Sequence, residues 1–128
     1  MIKKHLLIPD RVRRPPREGF SWIDRRFLRD YASKLTADAL LLYFFLTAVS
    51  DRQGLSFYSD ATLAVRLRMR ETTVVAAREQ LLIHDLLAYS PPLTQVLSLP
   101  QGRIQRGGGL QTLGELFRSL PSSVDQGT

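Results

Sequence analysis

The run from Ala37 to Val49 constrains this chain more than any other stretch. It contains Leu40-Leu41-Leu42-Tyr43-Phe44-Phe45-Leu46, and Asp38 is its single charged residue. It is shorter than the ~18–20 residues that a bilayer-spanning helix needs, so it reads as a buried helix rather than a membrane segment. Thr36 offers the N-cap and Asp38 a first-turn acid, and the helix should run to about Ser50. Its middle is apolar all the way round, so it must be covered on more than one side. A preceding helix is one possible cover and a dimer partner another; the sequence leaves both open.

The preceding segment supplies a candidate. Ile23, Phe27, Leu28, Tyr31 and Leu35 recur at steps of 4, 1, 3 and 4, the stripe of an amphipathic helix, and Trp22 is expected to join the same core. After the apolar run, Asp51-Arg52-Gln53-Gly54 reads as a turn with glycine at the helix stop. Leu55-Ser56-Phe57-Tyr58 is a short strand candidate. Ser59 caps the next helix, with Leu63, Ala64 and Leu67 on its apolar side, ending near Arg68. A longer helix over about 71–84 buries Val74, Ala77 and Leu81. Leu86-Leu87-Ala88-Tyr89 and Thr94-Gln95-Val96-Leu97-Ser98-Leu99 then flank a short tip at Ser90-Pro91-Pro92-Leu93, a hairpin pattern.

Charge divides the chain sharply. The net charge is +6, and residues 1–29 hold nine basic side chains against three acids, so the whole excess lies at one end. Residues 1–19 mix Lys3, Lys4, Arg11, Arg13, Arg14 and Arg17 with Pro9, Pro15, Pro16 and Gly19, which resists helix and reads as a flexible basic arm. Such a segment attracts a polyanion, nucleic acid or an anionic membrane surface. Beyond Pro100, Gly102, Gly107, Gly108 and Gly109 give linker composition, and Leu110, Leu113, Leu116, Phe117 and Leu120 space like one face of a short helix. The expected organisation is therefore an arm over 1–19, a domain over 20–99, and a linker with an amphipathic C-terminal helix over 100–128. The helix at 110–120 can dock on its own domain or on a partner.

The order helix, short strand, short helix, longer helix, hairpin is that of a winged helix-turn-helix, a mainly α fold with a small β-hairpin. The run Ser59-x-x-x-Leu63-Ala64-x-x-Leu67, followed by Thr73-Val74-x-x-Ala77-x-x-x-Leu81-x-x-x-Asp85-Leu86-Leu87, resembles the helix-turn-helix of bacterial winged-helix regulators. It is also similar to small helix-turn-helix proteins of phage, plasmids and transposable elements. Where those families usually have glycine in a left-handed conformation, this chain has Asp85, which tolerates that conformation better than most residues. The resemblance implies a DNA-binding accessory or regulator of transcription or replication, of the kind carried by mobile elements.

In a helix-turn-helix, side chains near the start of the second helix reach base edges in the major groove. Here the outward face is Thr72, Val75, Ala76 and Glu79, with Thr73 beside it. It lacks the Arg, Lys, Asn and Gln that make bidentate base contacts; its methyl groups suit a thymine methyl instead. Arg66, Arg68 and Arg70 cluster between the two helices and can clamp phosphates. Across residues 59–85 four arginines face four acids, so the arm is expected to supply most of the affinity, on the backbone or in a minor groove. The same neutral helix also suits a protein-interaction module without sequence-specific DNA binding.

Other chemistries find little support. The chain has no cysteine, which removes disulfides, thiolate metal ligands and a cysteine nucleophile, and fits a reducing compartment. Its two histidines, His5 and His84, lie in the arm and at a helix C-terminus, so neither metal nor cofactor is expected. Gly107-Gly108-Gly109 follows no β-α unit, and no Ser, His and Asp share a local spacing, so no catalytic residues are assigned. The aromatic residues Phe20, Trp22, Phe27, Tyr31, Tyr43, Phe44 and Phe45 read as core by their helical spacing rather than as base-stacking groups. The N-terminus shows no secretory apolar stretch, and the expected setting is cytoplasmic, with double-stranded DNA as partner, a possible homodimer, and no membrane.

Overall fold

A computed structural model describes residues 2–100. The chain is mainly helical, with a small three-stranded antiparallel sheet. Its elements are α1 (Arg25–Asp30), α2 (Ala37–Val49), β1 (Leu55–Ser56), α3 (Asp60–Leu67), α4 (Glu71–Ile83), β2 (Leu87–Ser90) and β3 (Leu93–Val96), with short 3-10 turns at Pro9–Arg11 and Ala32–Lys34. The expected linker and helix beyond Pro100 lie outside the described residues.

Helix α2 forms where its cap and its apolar run demand. The Thr36 hydroxyl accepts from the Ala39 N–H at 3.2 Å. The same hydroxyl takes a bond from Gln80 Nε2 at 2.8 Å, while the Thr36 N–H donates to Gln80 Oε1 at 3.0 Å. That two-way clasp joins the start of α2 to the last turns of α4, so the two helices run past each other with their apolar faces together. Leu42, Leu46, Val74, Ala77, Leu81 and Leu86 fill the space between α2, α4 and the sheet, and Leu63 of α3 closes it. Among the described residues no helix is long and apolar enough to cross a membrane.

The segment before α2 departs from expectation. A single helix over the Ile23 to Leu35 stripe does not form: α1 has six residues, and the chain then turns through Ala32–Lys34. Asp24, extended at ψ 128°, caps α1 by accepting from the Arg26 N–H, which leaves Ile23 outside the helix, and the chain departs from helical backbone at Tyr31, φ −122°. Phe27 is buried and stacks on Tyr43 with ring centroids 4.0 Å apart. Tyr31 and Leu35 are half-buried, but Leu28 stays 73% exposed. Trp22, expected in the core, is 74% exposed, and Phe20 and Phe44 are exposed too.

Strand order is β1-β3-β2, with Leu55 opposite Gln95 and Ser56 opposite Thr94, then Ala88 opposite Gln95 and Tyr89 opposite Thr94. The expected strand at 55–58 is shorter: Phe57 leaves the sheet and is exposed. The strand expected to reach Leu99 stops at Val96, although Leu99 itself is buried. Gly54 stands not at the end of α2, which stops at Val49, but in the turn that follows. Its φ of +85° and the Val96 carbonyl, 2.5 Å from where a Cβ would lie, both require glycine. Asp85 takes the left-handed conformation expected of it, with φ 62°.

Candidate nucleic-acid interface

Ser59 caps α3 by accepting from the Thr62 N–H at 3.1 Å. At its other end Arg68 adopts φ 59°, ψ 47°, and the Met69 N–H returns to the Ala64 carbonyl at 3.0 Å, ending the helix. Met69 packs on the core, whereas Arg68 and Arg70, on either side of it, are exposed. The Arg70 carbonyl accepts from the Thr73 and Val74 N–H groups at 3.0 Å each, which opens α4. The α3–α4 turn thus holds its middle residue inside and turns its two arginines outward.

On α4, Val74, Ala77 and Leu81 are buried, and Thr72, Val75, Ala76 and Glu79 face solvent, as the helical period requires. Thr73 is half-buried at the edge of that face. Arg66 is exposed, with its guanidinium 5.5 Å from the Phe45 ring centroid. The residues expected at a base-reading helix and its turn are therefore exposed, apart from half-buried Thr73.

Arg78 was hidden inside a neutral charge count. It is 6% exposed, hydrogen-bonds the Asp60 carboxylate at the start of α3, and lies 4.0 Å over the Tyr89 ring of β2. It fastens α4 to both α3 and the hairpin. The signal was present: Arg78 stands four residues after Val74 and three before Leu81, on the buried side of the helix.

The other ion pairs among the described residues join Arg26 to Asp24 at 2.6 Å and Arg29 to Asp30 at 2.8 Å. Hydrogen bonds from the Arg26 guanidinium and backbone N–H lower the Asp24 carboxyl to about 2. Arg66, Arg68 and Arg70, and the arm residues Lys3, Lys4, Arg11, Arg13, Arg14 and Arg17, form no ion pair among the described residues and are exposed. The β2–β3 hairpin, by contrast, contains no charged residue.

The arm is exposed from Ile2 to Ile23 and irregular, with a 3-10 turn at Pro9–Arg11 and a second turn closed by the Gly19 N–H on the Pro16 carbonyl at 3.3 Å. Its root is tied down by Ser21, whose hydroxyl donates to the Ala48 carbonyl at 3.1 Å. There Phe20 and Trp22 help to line an open groove of about 540 Å³ with Thr47, Arg52, Gly54 and residues 96–99. No hydrogen bond, ion pair or ring contact joins residues 2–19 to α4 among the described residues. The structure thus assembles Arg66, Arg68, Arg70, Thr72, Thr73, Val75 and Ala76 on consecutive elements, and leaves the arm's cations in a separate strand of chain.

No family model, curated protein or solved structure matches this chain.

Proposed function

We propose that this chain is a non-catalytic winged-helix DNA-binding protein, in which α4 enters the major groove while the turn at 66–70 and the basic arm hold phosphates. The observation that carries the reading is the exposed face of α4 lying directly after three exposed arginines that form no ion pair among the described residues. A groove-sized helix with cations at its leading end matches how such helices enter duplex DNA. The succession α2-β1-α3-α4-β2-β3, with strand order β1-β3-β2, supports a winged-helix assignment. The uncharged hairpin leaves phosphate binding to the turn and the arm. With Val75 and Ala76 outward, base reading is modest and confined to methyl contacts. A cytoplasmic regulator or accessory of a mobile element is the setting that the helix-turn-helix resemblance favours.

A second reading has its own support. The face of α4 carries Glu79 and a 43% exposed Val75 rather than a cation, which suits a protein partner as well as a base edge. An electrophoretic shift with random duplex at several salt concentrations separates the two. Engagement of the arm's six cations gives a log–log slope of roughly −5. Deleting residues 2–17 should then abolish most duplex binding, and Arg70→Ala should weaken it less. Absence of any shift at low salt refutes DNA binding and leaves the protein-interaction reading.

A further inference from the structure

The open groove at the root of the arm is lined by Phe20, Trp22, Tyr43, Val96, Leu97 and Leu99, with Phe20 and Trp22 still 65% and 74% exposed. Its charged lining is two acids and two bases, Asp24, Arg26, Asp51 and Arg52. The Asp24 carboxylate holds Arg26, and the Asp51 carboxylate accepts from the Gln53 and Leu55 N–H groups at 2.8 and 2.9 Å. A groove so balanced does not draw in a phosphate; its aromatic rings suit an apolar occupant. We infer that the occupant is the chain's own segment 110–120, docked through Leu110, Leu113, Leu116, Phe117 and Leu120.

The place where the described chain ends points to this segment. Val96, Leu97, Ser98 and Leu99 line the groove, and Leu99 is buried one residue before Pro100. Residues 101–128 therefore set out from the groove's own wall. The nine residues 101–109 reach at most ~30 Å when fully stretched, so segment 110–120 must begin within that distance of the groove. Its apolar residues follow one another at steps of 3, 3, 1 and 3, one helical stripe, and the charged Glu115 and Arg118 fall outside it.

Attachment favours this occupant over a free one. A short flexible linker holds its passenger at an effective concentration on the order of millimolar. A contact whose dissociation constant is itself millimolar is then about half formed within one chain, although it would not persist between separate molecules.

Trp22 is the only tryptophan in the sequence, so its fluorescence reports on the groove. In the full chain without DNA, Phe117→Glu should shift the emission to the red. Acrylamide quenching should rise about twofold or more, since docking shields the ring in at least half of the molecules. The circular dichroism of the core should not change. Ile83→Glu, at an exposed position outside the groove, should leave both Trp22 readings as in wild type. Because the sequence has no cysteine, Gly114→Cys carrying a bimane label gives a second readout. Contact with Trp22 should quench the label at every protein concentration, and Trp22→Phe should restore it. Identical Trp22 emission and quenching in wild type and Phe117→Glu overturns the inference, as does an unquenched label. Quenching that vanishes on dilution overturns it too, because the segment then sits in the groove of a second copy. None of these readings depends on nucleic-acid affinity, so failure here is distinct from failure of the DNA-binding reading.

Discussion

The buried Arg78 tie allows an asymmetry to be predicted. Removing either partner breaks the same ion pair, but what remains differs. The Arg78 side chain is 7% exposed and that of Asp60 is 30% exposed. Asp60→Ala strands a guanidinium away from water with the Tyr89 ring as its remaining neighbour, and also removes an acid from the first turn of α3. Breaking a buried pair from one side costs about 3–5 kcal/mol, and the helix-end acid adds about 0.3–1 kcal/mol; the Tyr89 face recovers some of this. A net loss of about 3 kcal/mol is expected. Arg78→Met strands a carboxylate that is partly in solvent and already favoured at a helix N-terminus. The thioether keeps the length of the stem and a sulfur contact with Tyr89 worth about 0.3–1.5 kcal/mol, so the loss should be nearer 1.5 kcal/mol. Urea unfolding followed by circular dichroism measures both, and in a domain of this size the difference corresponds to roughly 6–12 °C in melting temperature. Combined in one chain, the two changes should cost less than their sum. If Arg78→Met proves as damaging as Asp60→Ala, the argument from the buried charge is wrong.

Three further outcomes are expected. Gly54→Ala should destabilise by about 2 kcal/mol or more, since a left-handed φ and a clash with the Val96 carbonyl act together; an unchanged urea midpoint would refute this. Gln80→Ala should cost about 1 kcal/mol with an unchanged m value, from loss of the clasp on Thr36; a loss indistinguishable from zero would show the clasp to be idle. The Asp24 carboxyl, lowered to about 2 from an unfolded value near ~3.9, favours the fold above pH ~4, and that contribution disappears as pH falls toward 2. Wild type should therefore lose stability through that window more steeply than Asp24→Asn at low salt, and parallel curves would exclude the linkage.

Where local chemistry decides, the sequence was legible. Ser59 and Thr36 cap the helices they were expected to cap, Asp85 is left-handed, and Val74, Ala77 and Leu81 face inward with Thr72 and Ala76 outward. Each outcome follows from a hydroxyl, a backbone preference or a 3.6-residue period acting within a few residues. Competition for space was not legible. Trp22, Phe20 and Phe44 have core chemistry, but it is Phe27 that reaches Tyr43 and is buried, a result that depends on how the α1 segment crosses α2. Arg78 escaped for a related reason: a charge count treats every arginine alike, and its partners Asp60 and Tyr89 are distant in sequence. Of the candidate interface, the α4 face and the arginines before it were readable, whereas the distance between that face and the arm is a tertiary property that no periodicity encodes.

The two ends of the candidate interface are anchored very differently, and this sets how the molecule can adapt to a curved or irregular target. Helix, turn and hairpin are riveted to one another through a guanidinium shut away from solvent, so they should meet a surface as a fixed die. At the root of the cationic leader the exposed Ser21 hydroxyl donates to the Ala48 carbonyl near the end of α2. Accommodation to a target should therefore fall to the leader rather than to the die.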